Sequence, residues 1–141
     1  IVGDSFATAQ LKVVFSHILN APEEQSILWH CTEGKDRCGM TSALFLYLLD
    51  VDMKTIYEDY LFTNQVVARK ASRFYWMIRI FKRDRKLAEK ARAAFIADQS
   101  YLEAALDEIT QKFGRLDAYL ERQLGITPQM REKFKAEALE P

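Results

Sequence analysis

Apolar residues recur at helical spacing along most of this chain, and little interrupts them. Leu11, Val14, Phe15 and Ile18 follow the i, i+3, i+4, i+7 rule, as do Phe74, Met77, Ile78 and Phe81. Only 5 Gly and 3 Pro stand among 141 residues to break such runs. The spacing predicts further helices over 39–49, 53–67, 99–113, 116–124 and 128–139. Thr127 and Pro128 supply an N-cap and first-turn start for the last of these, while Gly114 and Gly125 suit helix ends. One stretch reads differently. Ser26-Ile27-Leu28-Trp29-His30 is short, apolar and followed at once by a Gly-containing loop, which predicts a strand.

A mass of 16.4 kDa with 49% hydrophobic residues allows one folded domain with a buried core and excludes a disordered or collagen-like chain. Lys plus Arg equals Asp plus Glu at 20 each, so the whole chain is no polycation seeking nucleic acid. The balance is uneven along the sequence. Residues 69–97 hold 10 basic and 2 acidic side chains, with Phe74, Tyr75, Trp76 and Phe81 among them, and read as a basic amphipathic helix or helix pair. Such a segment is either a solvated helix face, or a helical lid or membrane-facing element whose Lys and Arg attract anionic headgroups. No apolar run approaches the ~18 residues of a bilayer span. The chain opens on Ile1 without a signal-peptide pattern, so its compartment, cytoplasm or export, stays open.

The chemistry is concentrated in His30-Cys31-Thr32-Glu33-Gly34-Lys35-Asp36-Arg37-Cys38-Gly39, set between the strand candidate and a helix. In a strand-loop-helix context, the backbone amides of Thr32, Glu33, Gly34, Lys35, Asp36 and Arg37 can turn inward and form a concave site for a tetrahedral oxyanion. Cys31 opens that loop. Inward amides and a nearby cation can lower a cysteine pKa from about 8.5 to roughly 3.5–7.5, making the sulfur a nucleophile at neutral pH. Arg37 offers a planar fork for two phosphate oxygens, and Gly34 permits a close or left-handed backbone. His30 reads as a residue that braces the loop. The only cysteines, Cys31 and Cys38, lie too close to staple a secreted miniprotein, so they point to a catalytic or redox role or to a reducing compartment.

This decapeptide resembles the phosphate loop of the cysteine-based protein tyrosine phosphatase superfamily, His-Cys-x5-Arg followed by Ser or Thr and Gly. The Gly-Lys-Asp-Arg string is similar to that of bacterial tyrosine and dual-specificity phosphatases, phosphoinositide-hydrolysing members among them. The resemblance continues through Tyr60-Leu61-Phe62-Thr63-Asn64, Tyr101-Leu102-Glu103-Ala104-Ala105-Leu106, Phe113-Gly114-Arg115-Leu116-Asp117-Ala118-Tyr119-Leu120 and Leu124-Gly125-Ile126. It implies a two-step displacement through a cysteinyl-phosphate on Cys31, with Arg37 and the loop amides holding the phosphoryl oxygens and no metal or other cofactor. Asp36, ahead of Asp4, is the implied general acid. Lys35 resembles the loop lysine that pairs with extra phosphates of an inositol ring. Cys38 departs from the pattern: it stands where Ser or Thr assists the departing sulfur, and S–H is a weaker donor.

The implied fold is α/β and phosphotyrosine-phosphatase-like, a parallel sheet flanked by helices. Residues 1–141 would be the C-terminal portion of one catalytic domain, with 26–39 as strand and phosphate loop and 69–97 as a lid-like helical segment. The sheet would be completed by an N-terminal segment or a second chain. The implied substrate is a phosphorylated protein, on phosphotyrosine first and phosphoserine or phosphothreonine besides, or a phosphoinositide. Two other readings stay open: a catalytically silent module that binds phosphorylated partners through the same loop, and a sulfurtransferase.

Overall fold

The computed structural model describes residues 2–22 and 24–139; Ile1, Glu23, Glu140 and Pro141 lie outside them. Its elements are α1 (Ser5–Leu19), α2 (Asp36–Leu48), α3 (Met53–Phe81), α4 (Arg85–Phe95), α5 (Gln99–Phe113), α6 (Leu116–Tyr119), a π-helical turn (Leu120–Leu124) and α7 (Pro128–Ala138). Helix starts follow short polar side chains. Asp4, Asp52 and Asp84 accept from the amides of Ala7, Thr55 and Leu87, and Thr127 accepts from Met130 one residue before Pro128. Gly114 and Gly125 follow α5 and the π-helical turn.

Two expectations are corrected. Ser26–His30 is not a strand, and among the described residues no strand or sheet occurs, so the α/β expectation with a parallel sheet core gives way to an all-helical structure. A strand is defined by pairing its backbone groups with another strand, and the regular elements among the described residues are all helices, whose backbone groups pair internally. The segment carries no regular secondary structure, and Leu28 is 88% exposed. The second correction concerns α3. It runs on for 29 residues through the point where the charge pattern changes, because no Gly or Pro stands within it. The basic segment is therefore divided between the second half of α3 and α4, with a turn at Arg83 where φ is +51.

The chain packs as two compact units. One comprises Ile1–Trp29, Leu48–Asp50 and Glu103–Pro141. Its core is built from Phe15, Ile18, Leu48, Ile109, Tyr119 and Leu120, all essentially buried. Arg131 on α7 ties the end of α2 to α6, donating to the Leu48 carbonyl at 2.8 Å, to Asp50 at 2.5 Å and to Asp117 at 3.0 Å. The other unit comprises His30–Tyr47 and Val51–Leu102 and contains the whole candidate loop. Here α3 and α4 form an antiparallel pair, with Phe74 and Phe95 rings 4.9 Å apart and Leu44, Ile56, Ala71 and Ala88 buried. Among the described residues no helix is long and apolar enough to cross a membrane.

Candidate active site

The loop that begins at His30 ends on α2, and its shape is set by a local turn. Gly34 has φ +69, a left-handed value that costs any side-chain-bearing residue about 1–2 kcal/mol. That turn points the Gly34 amide at Cys31 Sγ, 3.2 Å away. The amides of Glu33 and Cys38 and the Cys38 thiol donate to the same sulfur. Cys38 lies in the first turn of α2, where an amide has no acceptor inside the helix and the helix end is positive.

Burial pushes the Cys31 thiol up, but this ring of donors outweighs it and brings it from an ordinary 9.0 down to about 7. At neutral pH a large fraction of the sulfur is therefore thiolate. The neighbouring sulfur behaves in the opposite way. Burial pushes the Cys38 thiol up, and the hydrogen bond to Cys31 together with the Cys31 charge pushes it further, to about 11. The thiol-to-sulfur hydrogen bond thus moves the two cysteines in opposite directions, Cys31 down and Cys38 up.

Arg37 Nη2 donates to Thr32 Oγ1 at 3.3 Å, joining the two ends of the loop. The groups that lower Cys31 are Cys38, Glu33 and Gly34, while the Arg37 charge lowers Cys38. Asp36 is the first residue of α2, exposed, with Oδ1 3.6 Å from Lys35 Nζ. His30 is exposed at the loop's start. Asp4 is engaged as the cap of α1.

With this loop in place, the comparison with known proteins becomes specific. A family model described as "Tyrosine phosphatase family" matches residues 3–140. The chain belongs to that family. It is also 34% identical over 110 residues to the triple specificity protein phosphatase PtpB of Mycobacterium tuberculosis. The aligned region is 72% of this chain and 39% of that protein, so the chain spans about two-fifths of the relative's length.

What holds the loop from His30 to Gly39 in place was not visible in the loop's own sequence. Lys35 is buried, and its ammonium donates to the carbonyls of Ala94 at 2.9 Å and Ile96 at 3.4 Å, with the Tyr101 ring 5.4 Å away. A cation on the last carbonyls of α4 is favourable there. The ammonium expected to meet substrate phosphates is thus engaged with the protein's own backbone. Glu33 pairs with Lys70 of α3 at 2.8 Å, and that ammonium lies 5.0 Å from the Phe95 ring.

Two residues of the Tyr60–Asn64 segment complete the support. A Cβ on Gly39 would fall 2.7 Å from the Tyr60 ring, so glycine is what lets α2 and α3 approach at that level. Burial, with the charges of Asp36, Tyr101 and Asp98, pushes the Tyr60 phenol up to about 12. Asn64 makes a reciprocal pair with the Ala97 backbone, donating to its carbonyl at 2.9 Å and accepting from its amide at 2.8 Å. The sequence signal for Tyr60 and Asn64 was their place in a family segment. For Lys70 there was only its membership in a basic run.

Proposed function

We propose that this chain carries the catalytic loop of a phosphoric monoester hydrolase acting on phosphotyrosine, with phosphoserine, phosphothreonine and phosphoinositides as further substrates. The observation that supports it most is the convergence of the Glu33, Gly34 and Cys38 amides on Cys31, which brings its thiol to about 7. The name of the relative, a triple specificity phosphatase, supports the breadth of substrate.

In the reaction, the Cys31 thiolate attacks phosphorus; the S–P bond forms as the bond to the leaving oxygen breaks. Asp36 gives its proton to that oxygen. The loop amides and the Arg37 guanidinium hold the equatorial oxygens, whose charge must be stabilised as the phosphoryl group moves. Water then attacks the cysteinyl-phosphate, Asp36 takes the proton, and inorganic phosphate leaves with Cys31 again a thiolate. An arginine fork suits this position because it meets two oxygens at once.

Hydrolysis of p-nitrophenyl phosphate tests the reading. Cys31→Ser is expected to abolish turnover, and Asp36→Asn to slow it and remove the alkaline limb of the pH profile. Full activity in Cys31→Ser would end the proposal, and an unchanged profile in Asp36→Asn would move the acid elsewhere.

A second reading is favoured by Cys38. Its thiol donates to Cys31 where the family places a hydroxyl, and S–H is the weaker donor for a departing thiolate. The second step is then slow, and the chain approaches a phosphate-binding module. Stoichiometric phosphorylation of Cys31 with little turnover marks a slow enzyme; phosphopeptide binding without any phosphorylation marks the module.

A further inference from the structure

Helix α3 has two apolar stripes. One, through Ile56, Tyr60, Val67 and Ala71, is buried in its own unit. The other lies on the opposite side of the helix and faces water: Phe62 is 58% exposed, Val66 73%, Trp76 60% and Ile80 65%. Phe62, Val66, Arg69, Arg73, Trp76 and Ile80 recur at alternate steps of four and three, so they share one face over about 27 Å of helix. Isolated exposed apolar residues need no explanation, but aromatic and branched side chains aligned on one face at both ends of a pair of arginines do.

Charge selects what covers it. Residues 60–83 contain no Asp or Glu, whereas Arg69, Lys70, Arg73, Arg79, Lys82 and Arg83 fall within them. Arg69 and Arg73 stand in the middle of the stripe and are exposed. A second copy of this face would set arginine against arginine with no acidic group on the stripe to relieve it. A surface that is apolar below and anionic above satisfies both kinds of side chain. Phe, Val, Trp and Ile enter the acyl boundary while the guanidinium groups meet phosphate headgroups. Tryptophan favours that boundary.

We infer that the outward stripe of α3, from Phe62 to Ile80, docks the protein flat on an anionic lipid surface. The stripe belongs to the same unit as the phosphate loop, and α3 is linked to that loop by the Lys70–Glu33 pair. The inference stands on the stripe alone and does not require the phosphatase reading.

The test is co-sedimentation of the 141-residue chain with vesicles of phosphatidylcholine, with and without phosphatidylserine. Binding is expected only to the anionic vesicles and is expected to weaken with salt. Arg69→Gln with Arg73→Gln should weaken it by roughly fivefold per arginine, from about 1 kcal/mol for each cation near the surface. Trp76→Ala with Ile80→Ala should abolish it. All four side chains are exposed, and both double variants should keep p-nitrophenyl phosphate turnover. A Cys31→Ser chain should bind vesicles as the wild type does, which separates this inference from the enzyme assignment. Equal binding to neutral and anionic vesicles, or to neither, overturns it. So does a dimer in light scattering that Trp76→Ala with Ile80→Ala dissociates, because the face would then belong to a second copy.

Discussion

Replacing Cys38 by alanine tests the electrostatics of the loop through one contact. The wild-type Cys31 sulfur takes hydrogen bonds from three amides and the Cys38 thiol, and sits at about 7. Cys38→Ala keeps the amide and deletes the thiol. A hydrogen bond to a charged group contributes about 1.5–3 kcal/mol, and S–H belongs at the weak end, so the loss is about 1.5 kcal/mol. That corresponds to about one pKa unit, moving Cys31 to about 8. The thiolate fraction at pH 7 then drops from about a half to about a tenth. Iodoacetamide alkylation of Cys31, followed by peptide mass spectrometry across a pH series, should slow about fivefold at pH 7 and converge with wild type in alkali. Cys38→Ser should shift the midpoint the other way, since a hydroxyl donates more strongly. Identical alkylation midpoints in all three proteins would refute the reasoning, and the low Cys31 value would then need another cause.

Asn64→Ala removes both bonds to the Ala97 backbone and should cost about 2–3 kcal/mol in urea unfolding; a loss below about 0.5 kcal/mol would mean that water replaces the pair freely. Lys35→Met keeps the packed stem but strips the Ala94 and Ile96 carbonyls of their partner, for an expected loss of about 1–3 kcal/mol in the same assay. Unchanged stability with selective loss of phosphoinositide turnover would return that lysine to the substrate. Gly39→Ala places a methyl 2.7 Å from the Tyr60 ring and should lower stability by about 1–3 kcal/mol. Adding Tyr60→Leu should recover part of it in thermal melts; equal melting of Gly39→Ala and wild type would contradict the close approach.

What the sequence disclosed depended on the range of the interaction. The loop was legible because its determinants are local: the Gly34 turn and the first-turn amides of α2 act on a cysteine within seven residues. Helix starts were legible for the same reason, as at Thr127 and Pro128. The run 26–30 misled because an apolar pentapeptide records only what its residues tolerate, whereas a strand needs a partner to pair with. The length of α3 was obscured by a change in charge, which does not stop a helix in the way Gly or Pro does. The partners of Lys35 and Glu33 lie 37 to 61 residues away, beyond the reach of local pattern. The outward stripe of α3 could not be separated from core before it was known which side of the helix is buried.

The most direct test of the central claim is to quench the reaction with acid during p-nitrophenyl phosphate turnover and map phosphorylation by mass spectrometry. One phosphoryl group is expected, on Cys31, accumulating further as pH rises through about 7 and the thiolate forms. Steady release of p-nitrophenol with no phosphoryl group on Cys31, or with undiminished rate in Cys31→Ser, would contradict it.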